Sequence, residues 1–360
     1  MNKTNILGLS RDSLKTFLEK FGEPAYRGDQ VFKWIQKRGV KSFDEMTDIS
    51  LALRKRLFEE AELCALDMIT SIKAADETEK LAFRTRDGLV IESVLIPDNS
   101  GSRLTLCVSS QAGCRMNCTF CRTAKIGFHR NLTVAEILDQ AILASKAAKK
   151  GNGSGTEGNT KRITNLVFMG MGEPLANLER LIEAIRILMD DQGLNFSSRR
   201  ITVSTCGLVP AMDVLGRAVS IKPAVSLNAA TNEVRDMLMP INRRYPLAEL
   251  IDACRKYPLA RRDRITFEYV LIDGINDSVT DARELVRLLS DVKAKVNLIP
   301  FNEFKGSGFR RPPREKVEAF QKVLLDKGLA AMLRSSRGDD ISAACGQLAG
   351  EIGSYSLYQE

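Results

Sequence analysis

Hydrophobic spacing in the N-terminal stretch has the period of α-helices. Leu14, Phe17, Leu18 and Phe21 share one face after a Ser10 cap, and Gly22 can end the helix in a left-handed turn. Val31, Trp34 and Ile35 mark a second buried stripe closed by Gly39. A third helix starting near Ser50 turns Leu53 and Leu57 inward and Arg54, Lys55 and Arg56 outward. Over 81–96 the period shortens to two, and Asp87-Gly88 between two apolar, β-branched runs predicts a hairpin with a tight turn. Strand alternation there puts Glu92 on the face of Val90, Val94 and Ile96, where a buried carboxyl group could take a proton; read from the residues alone, a local bulge turning it to solvent is the plainer alternative.

From residue 104 onward, strand-length apolar runs alternate with helical ones. Strands are expected at 104–109, 163–169, 200–204, 223–227, 265–272 and 295–299, several rich in Val and Ile without polar alternation, as in parallel strands buried on both faces. The best-marked helix begins at Thr133, where Thr133-x-x-Glu136 is a capping box and Ile137, Leu138 and Ile142 lie on one face. This rhythm predicts an α/β fold, a parallel sheet with right-handed crossovers curled into a partial (β/α)6 barrel, with its site at the C-terminal ends of the strands. Residues 150–161, rich in Gly, Ser, Thr and Asn, read as a surface loop and not a domain boundary. The expected organisation is a helical accessory domain at 1–65, a β-hairpin extension at 66–103, the barrel at 104–350 and a C-terminal tail at 351–360.

With 360 residues, 44% of them hydrophobic, the chain can bury a large core. No apolar window reaches membrane-spanning length, and the first residues carry no basic start with an apolar run behind it, so a cytoplasmic protein is expected. Eight unevenly spaced cysteines point to metal binding and catalysis in a reducing compartment, not to a disulfide scaffold. The net charge of +8 suits a polyanionic partner, because basic side chains that neutralise phosphates release counterions. Lys15, Lys33, Lys37, Arg38 and Lys41 concentrate that charge on the helical region, which could grip RNA; a solvated charged face is the plain alternative.

The chemistry is written in the cysteines. Cys114, Cys118 and Cys121 form C-x-x-x-C-x-x-C, and three close thiolates can hold an iron–sulfur cubane by three corners, leaving one iron for a small molecule. A Cys3His zinc site completed by His129, the only histidine, is the competing reading, but such sites usually draw their ligands as two pairs. The three-cysteine spacing resembles the radical S-adenosylmethionine enzymes, in which the vacant iron takes the amino and carboxylate groups of the methionine moiety. Gly170-Met171-Gly172-Glu173-Pro174, expected after the second barrel strand, is similar to the element that binds that amino group in the superfamily.

Two further segments narrow the resemblance: Leu106-Cys107-Val108-Ser109-Ser110-Gln111, and the run from Asp339-Asp340-Ile341 to Cys345-Gly346-Gln347-Leu348. Together with Tyr26-Arg27-x-x-Gln30 and Phe43-Asp44-Glu45-Met46 they resemble the RlmN family of RNA adenine C2 methyltransferases over nearly the whole chain. The related Cfr group methylates C8 instead, but Arg337-Gly338-Asp339-Asp340 looks more like the C2 group. The resemblance implies one 4Fe–4S cluster on Cys114, Cys118 and Cys121, and two S-adenosylmethionine molecules per turnover. One methylates Cys345; a second gives a 5′-deoxyadenosyl radical that takes hydrogen from the methylated cysteine, and the resulting methylene radical adds to C2. Cys107 then attacks the sulfur of Cys345, releasing methylated RNA and leaving a Cys107–Cys345 disulfide for thiols to reduce. Glu92 is the implied proton acceptor, with Cys107 as the other group able to take that proton. The implied cosubstrate contacts are Gly172, Glu173, Ser204, Ser226, Leu227, Asn228 and Asn302. Position 228 departs from the histidine common in the family.

The implied substrates are 23S rRNA at the peptidyl transferase centre and the adenine 3′ of the anticodon in some tRNAs. A flavodoxin-type electron donor, a thiol reductant and a monomeric state complete the expectation. Phe120 is expected to shield the cluster, while Cys64, Cys206 and Cys254 read as small buried hydrophobes, with Cys206 close enough to Ser204 to face the site. Two other readings compete: a radical enzyme modifying RNA or protein with a different group, which would not need Cys345, and a noncatalytic zinc-containing RNA-binding protein.

Overall fold

The computed structural model describes residues 3–150 and 162–350. The expected loop from residue 151 onward and the 351–360 tail lie outside these residues. Near the N-terminus, α1 (Arg11–Glu19) starts where Ser10 accepts a hydrogen bond from the Ser13 amide. Helix α2 (Tyr26–Phe32) runs on into a π-helical stretch, Lys33–Arg38, that ends at Gly39, and α3 (Leu51–Glu60) is capped by Ser50. Their apolar faces do not form a separate core. Leu14, Trp34, Leu53 and Leu57 belong to the same continuous cluster as the barrel residues Leu106, Phe168 and Phe267.

One ten-stranded sheet organises the rest, its strands adjacent in sequence order. The strands are β1 (Leu66–Lys73), β2 (Glu79–Thr85), β3 (Val90–Pro97), β4 (Leu104–Cys107), β5 (Asn165–Phe168) and β6 (Ile201–Thr205). They continue as β7 (Lys222–Ser226), β8 (Ile265–Leu271), β9 (Ala294–Pro300) and β10 (Ala331–Leu333). β1 to β4 pair antiparallel, and β4 to β10 pair parallel. The six expected barrel strands are β4 to β9, with helices between them such as α4 (Val134–Lys150) and α5 (Leu178–Met189). The sheet stays open, its edges being β10 and β1. This is the partial barrel that the βα rhythm predicts.

Two strands escaped the sequence pattern. β1 has one buried and three partly buried residues among its eight, without regular alternation, so its apolar signal is weak, and β10 is three residues long with two of them exposed. The 81–96 hairpin is therefore the middle of an antiparallel run continuous with the barrel sheet, not an appendage on it. That continuity positions Glu92 and Val94 beside the barrel mouth.

Helix α4 is the joint between the units. Thr133 accepts from the Glu136 amide at 3.2 Å while Glu136 accepts from the Thr133 amide at 2.8 Å, the expected capping box. Farther along, Asp139 accepts from the amides of Ala65 and Leu66 at 2.8 and 2.9 Å and ties the start of β1 to the helix. Arg130 donates to Asp87 at 2.7 Å and to Glu136 at 2.7 and 2.8 Å, joining the hairpin turn to the helix N-terminus.

Arg130 holds the Asp87 carboxyl well below the usual range, helped by the Thr85 hydroxyl and opposed by burial. A carboxylate with a depressed folded pKa stabilises the fold above its unfolded pKa of about 3.9 and loses that contribution as pH falls through its folded value. Asp87→Asn is therefore expected to lower stability at pH 7 by about 1 kcal/mol or less, the pair being partly exposed. It should also flatten the acid limb of stability below about pH 4, read by urea unfolding across pH; an unchanged limb would contradict the assignment.

Candidate active site

The parallel strands all deliver residues to one cleft at their C-terminal ends. Cys107 closes β4, Phe168 closes β5, Ser204 and Thr205 close β6, Ser226 closes β7, Glu268 lies midway along β8 and Val270 near its end, all lining one cleft open to solvent. The cleft is built from the rim as the barrel topology requires.

Cys114, Cys118 and Cys121 all line that cleft. Their loop leaves β4 and is pinned at several points: the Cys114 amide donates to Gly127 at 2.8 Å, Thr119 to Leu238 at 3.0 Å and Arg122 to Gly346 at 2.8 Å. Gly113, at φ +75°, has no room for a side chain, since a Cβ there would sit 1.9 Å from the Gly127 carbonyl oxygen. Burial pushes the Cys114 thiol up to about 12, and burial with the neighbouring thiols pushes Cys118 well above its ordinary value. One buried and two half-buried thiols that would repel one another as anions need a bound cation to ionise, which iron supplies.

Among the described residues, no three His, Cys, Asp or Glu side chains converge on a single ion. A cubane asks for one thiolate at each of three irons, so its ligands share a volume and not a point. His129 lies exposed on a short strand, Phe128–Asn131, and is not part of the cleft wall. The donor set fits a 4Fe–4S cluster, not a Cys3His zinc ion. Phe120 lines the same cleft and packs with Met116 and Cys118 in a small apolar cluster.

The Gly170–Pro174 turn sits one strand over, held by the motif that precedes the cluster. Ser109 Oγ accepts from the Met171 amide at 2.9 Å, and Gln111 Oε1 accepts from the Glu173 amide at 2.8 Å. Gly172, at φ +96°, lies so close that a Cβ would meet the Gln111 side chain at 2.4 Å. Glu173 is 4% exposed; its two carboxylate oxygens accept from the Leu175 and Cys206 amides at 3.0 and 2.8 Å. Burial pushes this carboxyl group up against those donors, so a cation placed beside it would stabilise its charged form. An α-ammonium group meets that need.

Most of the other expected contacts also reach the cleft. Ser204 and Ser226 face each other with their hydroxyl oxygens 3.5 Å apart. Asn228 takes a left-handed backbone, φ 58°, and spends its side chain inside the protein: Oδ1 accepts from the Val270 amide at 2.8 Å and Nδ2 points at Met239 Sδ at 3.1 Å. Leu227 is buried and absent from the wall, its carbonyl accepting from Arg235 at 3.1 Å. Asn302 lines the cleft and donates to the Cys345 carbonyl at 3.2 Å.

Cys345 rides on a C-terminal strap laid across the mouth. Gln347 holds the strap by donating to the Glu303 carbonyl at 3.0 Å and to Asp339 at 2.8 Å, and Thr123 donates to the Leu348 carbonyl at 2.6 Å. Cys345 is exposed, but to the cleft: burial among the surrounding walls raises its thiol and the nearby Arg334 lowers it. Burial, then Cys345, pushes the Cys107 thiol up to about 12. Both cysteines are free thiols. Glu92 does not line the cleft. It is 1% exposed, its Oε2 accepts from the Ala349 and Gly350 amides at 2.8 and 3.3 Å, and Oε1 pairs with Lys80 at 3.4 Å. The bulge alternative for this residue does not hold, since Glu92 pairs in register with Ala82 and faces inward.

Three charged residues of the site were not anticipated. Arg235, fully buried, donates to the carbonyls of Leu227 and Cys206 and to Asn242, lashing the ends of β6 and β7 together. Glu268 and Arg334 line the cleft opposite the cluster loop. A lone glutamate inside the apolar run Ile265-Thr266-Phe267-Glu268-Tyr269-Val270 was the available signal for Glu268. Cys206, expected to be a buried hydrophobe near the site, is both buried and part of the wall.

A three-cysteine loop at the mouth of an open parallel barrel, facing a buried Gly-Glu-Pro turn, defines a radical S-adenosylmethionine enzyme. Comparisons agree. Residues 108–288 match the radical SAM superfamily model, and residues 4–63 match the ribosomal RNA large subunit methyltransferase N-terminal domain. The chain is 51% identical over 348 residues to a dual-specificity RNA methyltransferase RlmN of Geobacter sulfurreducens, covering 97% of this chain and 92% of the relative. It is 49% identical over 351 residues to the protein of the same name from Pelobacter propionicus, covering 97% of each. A crystal structure of a radical SAM methyltransferase from Sphaerobacter thermophilus superposes with a TM-score of 0.91 at 43% identity, covering 97% of this chain and all of that one. The chain belongs to the RlmN family of dual-specificity RNA methyltransferases.

Gly172→Ala is expected to retain iron and sulfide yet lose at least about tenfold in S-adenosylmethionine-dependent turnover, because strain at a left-handed position typically costs 1–3 kcal/mol. Iron assay with a turnover measurement checks this; loss of the cluster itself would place the fault elsewhere.

Proposed function

We propose that this chain methylates carbon 2 of adenine in 23S rRNA and in tRNA, using Cys345 as a temporary carrier of the transferred carbon. One observation carries the reading: a strap anchored by Asn302 and Gln347 holds Cys345 in the same cleft as Cys107 and the three cluster cysteines. An enzyme that took hydrogen directly from its substrate would have no use for that strap.

Cys114, Cys118 and Cys121 would hold the cluster, which when bound would supply one electron for reductive cleavage of S-adenosylmethionine. Gly172, Glu173, Ser204, Ser226, Asn228 and Asn302 form the wall that positions this cosubstrate, Asn228 held in it by internal hydrogen bonds, while Leu227 shapes it from behind through its backbone. Arg334 faces both thiols and lowers the cost of ionising Cys345 for its own methylation, a polar transfer to sulfur. After the carbon has joined the RNA, the adduct gives up the C2 proton and one electron, for which the oxidised cluster would be the acceptor, and a thioether links it to Cys345. The Cys107 sulfur then attacks the Cys345 sulfur: the S–S bond forms as the C–S bond breaks, the electron pair leaves with the carbon, and that carbon takes a proton. A thiol reductant supplies two electrons to restore both cysteines.

Glu92 is the proposed acceptor of the C2 proton, lying on the β3 face that continues into the cleft wall through Val94 and Ile96. Its Oε2 is covered by the Ala349 and Gly350 amides, so proton transfer requires that end of the strap to move aside. The RNA is positioned by the basic helical unit of residues 1–65, and the target base is turned out of its stack to expose C2. A flavodoxin-like donor, a monomeric state and a cytoplasmic location belong to the same proposal. No helix among the described residues is long and apolar enough to cross a membrane.

Cys107→Ala is expected to trap a protein–RNA adduct visible on a denaturing gel, whereas Cys345→Ala gives neither adduct nor product; free methylated RNA at normal rates from either variant refutes the assignment. Glu92→Gln retains an acceptor for the strap but cannot take a proton, so adduct should accumulate unresolved; normal turnover would move proton removal to Cys107. With methyl-deuterated cosubstrate, nucleoside mass spectrometry should find 2-methyladenosine that has lost deuterium from the transferred methyl; 8-methyladenosine would indicate the Cfr chemistry.

A further inference from the structure

The cleft contains a charged pair, Glu268 and Arg334, whose carboxylate has no part in the carbon transfer. Glu268 is 6% exposed, and its two carboxylate oxygens are in different situations. Oε1 is fixed by Asn297, its register partner on β9, which donates at 2.8 Å. Oε2 accepts no hydrogen bond among the described residues. Arg334 NH1 lies 3.8 Å from it, close enough for attraction but too far to bond. A buried carboxylate oxygen left without a donor is costly, so a donor that arrives with a ligand gains more there than it would in water.

The neighbourhood narrows the donor's identity. Burial would lower the pKa of Arg334, but Cys345, Glu268 and Cys107 outweigh it, which puts this guanidinium beside the two sulfurs that handle the transferred carbon. Whatever meets Glu268 and Arg334 together is therefore next to the reacting carbon. The proposed amino-group contact of the cosubstrate, Glu173, follows β5, three strands away from β8 in the sheet.

We infer that Glu268 and Arg334 read the target adenine, Oε2 accepting a hydrogen bond from the 6-amino group while the guanidinium donates to an adjacent ring nitrogen. The pair offers an acceptor and a donor side by side, and adenine presents a donor beside an acceptor on either edge flanking its amino group. Guanine would set its O6 acceptor against the carboxylate, and the resulting repulsion excludes it. This assignment rests on the adenine methyltransferase reading and adds to it how the base is selected. Glu268 is a specificity residue here; the cysteines do the chemistry without it.

The test is a two-by-two comparison using cluster-loaded enzyme and a tRNA anticodon stem-loop. Wild type and Glu268→Gln are each assayed on RNA with adenosine at the target and on RNA with purine riboside there, which lacks only the 6-amino group. Wild type is expected to lose roughly tenfold or more in kcat/KM on removal of the amino group, the scale of a lost charge-assisted hydrogen bond. Glu268→Gln should lose a similar factor on adenosine yet discriminate little between the two RNAs. Methylation of Cys345, followed by intact mass, should not fall in the variant, and cosubstrate binding to the cluster should be retained, which also shows that it is folded.

If Glu268→Gln discriminates adenosine from purine riboside as strongly as wild type, or if it weakens cosubstrate binding instead, the assignment is overturned; the second result would give the oxygen to a hydroxyl of S-adenosylmethionine. Failure of the function reading looks different, because wild type would then methylate neither RNA.

Discussion

The strap that carries Cys345 is the constraint on which the rest of the site depends. A cysteine on a free tail would sample the cleft rarely, since each ordered backbone residue costs about 1–2 kcal/mol of conformational entropy. Here that cost is offset by hydrogen bonds drawn from every side of the mouth. Asn302 after β9 takes the Cys345 carbonyl, the cluster loop donates through Arg122 to Gly346 and through Thr123 to Leu348, and Glu92 on β3 accepts from Ala349 and Gly350. The cluster loop and the strap therefore support each other, and a disturbance in one is felt in the other.

That mutual support gives several residues two duties. Asn302 was expected to touch the cosubstrate; it lines the cleft and also donates to the Cys345 carbonyl, so a cosubstrate held there would share one amide with Cys345. Glu173 sits in the cleft and also orders the turn into its neighbouring strand through the Cys206 amide. Asn228 completes an internal network with Val270 and Asn276, the Asn276 side chain donating to the Asn228 carbonyl at 2.7 Å. The side-chain amide there holds the wall in shape, and this answers why a residue other than histidine can stand at the position.

Much of this was legible along the chain. The cysteine spacing, the Gly-Glu-Pro turn, the capping box at Thr133 and the six βα strands each have a local cause, whether a short loop, a turn or a periodic apolar face, and local causes can be read from neighbouring residues. The competing zinc reading also had a local cause, the single histidine, and only its placement on an exposed strand outside the cleft removes it. Alternation offered the inward face for Glu92, but the residues alone favoured a bulge turning it to solvent, because its partners, Lys80 and the amides of Ala349 and Gly350, are not written in the strand that carries it.

By itself, the sequence determined the chemistry available to this protein: three thiols for a cluster, two more for the proposed carbon transfer, an α/β rhythm to hold them and an excess of positive charge. Tertiary structure decided which groups meet. Cys107 and Cys345 belong to opposite ends of the barrel sequence, and Arg334 reaches Glu268 from an edge strand too short to announce itself. The reason is physical: periodicity reports what each segment buries, whereas the partners of a buried polar atom are set by strands and loops brought together only when the sheet curls.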